Sequence, residues 1–317
     1  MNDPAASAAA PAAATHPRLA ALVERARQPA GRSAPVVGLV HPCDALALQA
    51  ADLIAAAGIA RPLLIGAREA ILRAAGAAGV DASRFEIEAT GDAPAEAAHH
   101  ATALARAGAV AALMKGSLHT DELMSAVVHK ATGLRGDRRI SHAFVFDLPR
   151  YHKLLALADC VVNIAPNLAT KRDIIGNAVD LLQRLGIARP KVAIVAAVET
   201  VNPAIPATVD ARALVGMAAE GAWPGAVVEG PFGFDNAFSA EAARTKGIAS
   251  AVAGDADLML VPDLNAGNML YKSFNYVGGG DCAGLVLGAR VPVVLTSRAD
   301  SLQARVASVA LAVLAGG

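Results

Sequence analysis

The chain alternates short aliphatic runs with alanine-rich stretches whose apolar positions recur at helical spacing. Val36–His41, Pro62–Gly66, Phe85–Ala89 and Val110–Met114 have strand length and end at glycine, proline or polar residues. Between them, Asp44–Ala57, Ala67–Ala78, Pro94–Arg106 and Thr120–His129 read as helices, and Pro17–Arg27 as another ahead of them. Asp44 stands at an N-cap position, Pro94 at a first turn, and Gly58, Gly79 and Gly108 just past helix ends. Strand and helix in turn predict a mainly parallel sheet with helices on both faces.

The polar, glycine-bearing stretch Lys130–Arg139 breaks this series, and a second one follows. Strands are predicted at His142–Phe146, Leu155–Asn163, Lys191–Val198, Ala226–Pro231, Leu258–Pro262, Cys282–Leu287 and Pro292–Thr296. Helices are predicted at Thr170–Leu185, Thr208–Ala219, Ser239–Lys246, Ala266–Tyr276 and Ser301–Leu314. No repeat of fixed period runs through the chain.

Composition narrows the classes. Of 317 residues 55% are hydrophobic but only 3% aromatic, so alanine and aliphatics must build the core. The mean hydropathy of +0.43 raises a membrane reading, but no apolar run approaches the ~20 residues of a spanning helix. Lys plus Arg, 28, equals Asp plus Glu, 28. A neutral chain without a basic block argues against nucleic acid as partner. The Ala/Pro-rich N-terminus lacks the basic start and aliphatic centre of a secretion signal. Residues 1–16 read as a disordered lead-in, or as a linker of the kind that joins a further domain such as a hydratase. Three scattered cysteines without a CxxC pair argue against a disulfide framework or zinc site and point to a reducing cytoplasm. Cys43, before a helix, is the one placed for activation; Cys160 and Cys282 sit in apolar runs.

Open α/β sheets bind ligands at the carboxyl ends of their strands, and there this sparingly charged chain concentrates polar residues. Lys115-Gly116-Ser117 follows one strand, Glu199-Thr200 another, and Gly230 with Asp235 and Asn236 a third. Asn268 and Lys272, four apart, share one helix face. Ser297-Arg298-Ala299-Asp300-Ser301 opens the last helix, where free N–H groups and a guanidinium suit an anion. Each has an ordinary structural reading too: Ser and Asp cap helices, and loop lysines are commonly solvated. His41 and His119 could approach a cleft, and no strand–GxGxxG–helix unit is present.

Taken together, LMKGSLHTDELMSAV, ISHAFVFDLPRYHK, NIAPNLATKRDIIGNA, VEGPFGFDNAFS, PDLNAGNMLYK and VPVVLTSRADS resemble, in order, the phosphate acetyltransferase/phosphate butyryltransferase family, the last motif more its butyryltransferase branch. The resemblance runs from about Val36 to the C-terminus. It implies two three-layer α/β domains, isocitrate/isopropylmalate dehydrogenase-like, with an active-site cleft between them. Residues 1–141 plus 290–317 would form the first domain and 142–289 the second.

The implied reaction moves an acetyl or butyryl group between CoA and inorganic phosphate, with CoA as substrate, no tightly bound cofactor and no metal. The implied protein is a cytoplasmic homodimer. By resemblance, Ser297 matches the serine that stabilises the transition state and Arg298 the phosphate-binding arginine. Lys115, Gly116, Ser117, Asn268, Lys272, Gly230 and Asp235 match motif positions around the cleft. The family's proposed base, an aspartate seven residues after the serine, is Ala304 here. Asp300 is the substitute candidate, although a helix start would stabilise its charged form and lower its basicity. Two other readings stay open: a non-catalytic module binding CoA or an acyl phosphate, and an NAD-dependent dehydrogenase of the same fold.

Overall fold

The computed structural model describes residues 16–28, 33–295, 297 and 300–316; the predicted lead-in lies outside them save for His16. The first series comprises α1 (Pro17–Ala26), β1 (Val36–Val40), α2 (Ala45–Ala56), β2 (Arg61–Gly66), α3 (Arg68–Ala78), β3 (Glu86–Ala89), α4 (Pro94–Arg106), β4 (Ala112–Lys115) and α5 (Thr120–Val128). The second comprises β5 (Ser141–Asp147), β6 (Leu155–Ala158), α6 (Leu168–Arg184), β7 (Lys191–Val195), α7 (Pro206–Ala219), β8 (Val227–Phe232), α8 (Phe234–Phe238) and α9 (Ala240–Thr245). It continues through β9 (Leu258–Leu260), α10 (Leu264–Tyr276), β10 (Asp281–Leu287), β11 (Val293–Val294) and α11 (Leu302–Gly316).

The punctuation residues act as their chemistry dictates. The Asp44 carboxylate accepts the Ala47 N–H at 2.8 Å and starts α2. Gly79, at φ +67°, ends α3 in the left-handed conformation that glycine enters without steric cost. Pro94 opens α4. Several predicted strands are shorter than expected, Lys191–Val198 ending at Val195 and Leu258–Pro262 at Leu260. The run Leu155–Asn163 leaves the sheet after Ala158, because the Asp159 carboxylate accepts the N–H groups of Val161, Val162 and Asn163 and turns the chain. The last strand is reduced to Val293–Val294, and Thr296 lies outside the described residues. The short helix α8 was not foreseen: the glycine before it and its five-residue length leave little periodic signal.

Among the described residues, eleven strands form one sheet in the order β3-β2-β1-β4-β11-β10-β5-β6-β9-β7-β8. It is mainly parallel at both ends, but β5 runs antiparallel to both neighbours, β10 and β6, and β10 antiparallel to β11. The centre of the sheet is therefore where its direction reverses, a feature that local periodicity does not encode. Strand β11 carries the C-terminal segment back beside β4.

Strand alternation sorts the core. On one face Leu39, Met114, Val294, Leu285, Val145, Ala156, Leu258 and Val192 join one cluster, together with residues of α1, α2, α6 and α11. The other face carries two clusters. One, under α4 and α5, gathers Ile65, Val40, Leu113, Val293 and Val286. The other, with Phe274 of α10 and Ala237 of α8, gathers Phe146, Leu157, Met259 and Ala193. Between them, on the central strands, the second face is left without a helix directly over it.

Helix α1 is fastened to the end of β5 by a buried carboxylate. Asp147 accepts the Arg18 and Leu19 N–H groups at 2.7 and 3.3 Å and pairs with the Arg18 guanidinium at 2.6 Å. Asp147→Ala should strand these donors and lower stability by about 2 kcal/mol, read as a fall in the urea midpoint at unchanged slope.

Candidate active site

A cleft of about 410 Å³ occupies the uncovered centre of the second face, within the usual range for small-ligand sites. Its floor is β5: His142 and Phe144 alternate onto this face, opposite Val286 and Gly284 of β10. One wall is the end of β4 and the start of α5, with Lys115, Leu118, His119 and Thr120. The other is α10, with Asn268, Tyr271 and Lys272. The segment between β11 and α11 closes one side with Leu295, Ser297 and Asp300.

Five of the predicted site residues, Lys115, Asn268, Lys272, Ser297 and Asp300, thus line one cleft although they are far apart in sequence. Lys115 is buried at the end of β4, and its Nζ donates to the carbonyls of Leu118 and Gly116 at 3.0 and 3.2 Å. It is held in place rather than solvated. Gly116 and Ser117 shape this turn. The Gly116 and Ser117 N–H groups donate to Val40 and His41 carbonyls at 2.9 Å, and the Ser117 hydroxyl donates to the His41 carbonyl at 2.7 Å. A Cβ on Gly116 would stand 2.6 Å from two carbonyl oxygens, so only glycine lets β4 and β1 approach here.

Asn268 and Lys272 share the cleft-facing side of α10, as their spacing predicts. Asp263 caps that helix by accepting the Ala266 N–H at 3.0 Å. A Cβ on Gly267 would lie 2.6 Å from the Asp159 carbonyl. The first turn of α10 therefore rests directly on the Asp159 turn, which sets the reach of Asn268 and Lys272.

Ser297 is fixed through its backbone. Its N–H donates to the Asp300 carboxylate at 2.6 Å, and its carbonyl accepts from the Arg305 guanidinium at 2.7 Å. Arg305 is buried in the first turns of α11 and drew no notice in the sequence, where it stands in an amphipathic helix like any other arginine. Arg298, the predicted anion ligand, lies outside the described residues.

The expectation that a helix start lowers the basicity of Asp300 is overturned. Ser301 is the residue whose hydroxyl caps α11, accepting the Ala304 N–H at 3.0 Å, so Asp300 lies before the helix rather than in its first turn. Burial dominates and pushes its carboxyl above the ordinary value of 3.8, against the opposing hydrogen bond from Ser297 and the charge of Arg305. Ala304 opens instead onto a second cavity of about 180 Å³, which shares Phe144, Tyr271, Leu295 and Asp300 with the cleft.

Other predicted residues lie elsewhere. Gly230 lines a separate cavity with Glu199, Glu229 and Phe232. Asp235 pairs with Lys246 at 3.0 Å, and Lys246 and Asn236 both donate to Glu199. These bonds hold the Glu199 carboxyl at about 2, despite its exposure. The network ties α8 and the segment after β7 to the end of α9, outside the cleft lining. His119 reaches the cleft rim as the cap residue of α5, whereas His41 lies below the Gly116 turn with φ +52°. Burial pushes the Cys43 thiol up, the opposite of an activated nucleophile. A larger cavity of about 810 Å³ is lined by none of the predicted site residues. Arg138 pairs there with Asp180 and Arg184 donates to the Ala315 carbonyl. Among the described residues no group of three or more His, Cys, Asp or Glu could hold a metal ion, and no helix is long and apolar enough to cross a membrane.

Comparison with known proteins places this geometry among relatives. The sequence profile described as phosphate acetyl/butaryl transferase matches residues 86–313. The chain is 51% identical over 282 residues to the phosphate acetyltransferase of Rhizobium meliloti, covering 89% of each. It is 40% identical over 260 residues to the phosphate butyryltransferase of Clostridium acetobutylicum, covering 82% of this chain and 86% of that one. A solved branched-chain phosphotransacylase from Enterococcus faecalis superposes with a TM-score of 0.79 at 29% identity, over 89% of this chain and 99% of that one.

Gly116→Ala should force the β4–β1 turn apart. A loss of about 2 kcal/mol is expected, measured by chemical denaturation, with unchanged stability as the contrary result.

Proposed function

The chain belongs to the phosphate acetyl/butaryl transferase family, and we propose that it moves a short acyl group, acetyl or butyryl, between CoA and inorganic phosphate. The observation that carries this reading is the convergence of Lys115 and Lys272 from opposite walls on a cleft that also holds Ser297 and Asp300. Two cations facing one another over a polar loop suit an inorganic phosphate dianion and the anionic CoA. The names of the transferase relatives at 51% and 40% identity support the same chemistry.

In the direction of acyl phosphate synthesis, a phosphate oxygen attacks the thioester carbonyl carbon. The C–O bond forms, the carbonyl becomes an oxyanion, and its collapse breaks the C–S bond and releases CoA thiolate. In the reverse direction the CoA thiol, with a pKa near ~8.5, must first give up its proton. Asp300 is the candidate base: burial makes it a better proton acceptor than an ordinary aspartate. Ser297 is the candidate donor to the oxyanion and Arg298 the phosphate ligand, with Lys115, Gly116, Ser117, Asn268 and Lys272 forming the substrate seat. In this reading residues 1–141 plus 290–317 and 142–289 are the two domains that bear the walls, and the protein is a cytoplasmic homodimer with no tightly bound cofactor.

Purified protein should release thiol from acetyl-CoA or butyryl-CoA only when phosphate is added; phosphate-independent or absent release contradicts the reading. Ser297→Ala should lower kcat about a hundredfold, and a near-wild-type rate removes Ser297 from the site. The pH profile carries a separate expectation. Asp300 accepts a proton only when ionised, and its carboxyl sits above 3.8. The thiol-acylating rate should therefore rise with pH through a midpoint above 3.8, and Asp300→Asn should be slow and lack that rise.

A further inference from the structure

His142 is the polar group that the fold leaves unexplained. Its side chain is 1% exposed, and neither ring nitrogen has a hydrogen-bond partner among the described residues. The ring stands edge-on to Phe144, with centroids 4.4 Å apart, in the floor of the cleft. As a packing residue it would leave the desolvation cost of two nitrogens uncompensated, where leucine or phenylalanine would leave none. A Cβ on Gly284 would come within 3.1 Å of Nε2 and 2.7 Å of the Phe144 ring, so the glycine there keeps a side chain from capping the imidazole.

Resting on the acyl-transfer reading above, we propose that His142 is a catalytic residue whose neutral imidazole N–H donates a hydrogen bond to the acyl carbonyl oxygen at the floor of the cleft. The assignment follows from the division of charge. The anionic groups of the substrates have lysines on both walls, while the floor between them offers an uncharged imidazole, an aromatic ring and a stacked Tyr271. The thioester carbonyl is the uncharged polar atom of the reacting centre and becomes anionic only in the transition state. A neutral donor held in a dry wall strengthens most at that moment. Burial holds the imidazole at about 3, so it is uncharged at working pH. It keeps its proton throughout; the oxyanion forms against the N–H and reverts to a carbonyl when the C–S or C–O bond breaks.

The test begins with the wild-type protein. If it shows no phosphate-dependent thiol release, the acyl-transfer reading fails and this role with it. If it does, His142→Leu should reduce kcat about a hundredfold while the KM values for acyl-CoA and phosphate stay nearly unchanged. His142→Gln, which restores an N–H, should recover part of the loss. A His142→Leu rate within about threefold of wild type overturns the role alone, because a lost oxyanion donor costs far more. A second measurement needs no variant. In ¹⁵N-histidine-labelled wild-type protein, a ketone analogue of acyl-CoA with CH₂ in place of sulfur should shift a His142 ring nitrogen. CoA without an acyl group should not. No difference between the two at saturation overturns the proposal whatever the variants do.

Discussion

The architecture depends on an unequal covering of the two faces of one sheet. Successive side chains of a strand point to opposite faces, so the central strands contribute to both layers. On one face the apolar residues fuse into a single core from β2 to β7. On the other, helices α4 and α5 cover one flank and α8 and α10 the other, leaving two separate cores. The gap falls over β5 and β10, where strand direction reverses. The continuous core holds the two flanks to one base. The discontinuous one supplies a trough whose walls belong to different flanks, and Lys115, His142, Asn268, Lys272, Ser297 and Asp300 stand on its floor or rim.

What lines the trough follows from the packing that bounds it. Gly116 and Gly267 each occupy a point where backbone meets backbone, on opposite walls, and each fixes the height from which a lysine-bearing element reaches inward. Ser297 is held from two sides, through its N–H by Asp300 and through its carbonyl by Arg305. In the proposed reaction such bracing by charged groups would preorganise Ser297 as a donor before substrate arrives, the form of stabilisation that costs nothing at the moment of reaction. Arg305 is itself buried, where a hydrogen bond from a charged group is worth more because water competes less.

Much of this was legible in the residues, and the limits are physical. Asp44, Gly79 and Pro94 announce helix ends because capping is local. The shared face of Asn268 and Lys272 follows from helical period alone. The juxtaposition of Lys115 with Lys272 does not, because it depends on strand order and on the reversal at β5, which no window of sequence contains. Asp159 ends β6 by accepting three backbone N–H groups inside an apolar run that otherwise reads as strand. His142 was hidden for the same reason: in ISHAFVFD it is one polar residue in a buried strand. Only its position opposite Val286, two residues from Gly284, shows that its ring meets the cleft. Gly230 and Asp235 sit in a recognisable motif, yet Asp235 ties α8 to the end of α9 through Lys246, and Gly230 lines a separate cavity. A strand-end glycine and aspartate serve structure and site equally well in sequence.

The exchange of carboxylates around α11 shows why position along a helix decides chemistry. A carboxylate at residue 304 would stand three residues inside the helix that Ser301 caps, where the positive helix end favours its ionised form. Ala304 removes that group and leaves a small cavity against Tyr271 and Cys282. Asp300 lies one residue before the cap, beyond the first turn, and there burial outweighs the stabilising bond from Ser297. A base that must take a proton from a thiol gains from each increment of basicity, since the transfer is uphill for any ordinary carboxylate. On the proposed assignment of Asp300 as base, a carboxylate in the buried turn before the helix meets local electrostatics of the opposite sign to one inside it, and it still stands beside Ser297.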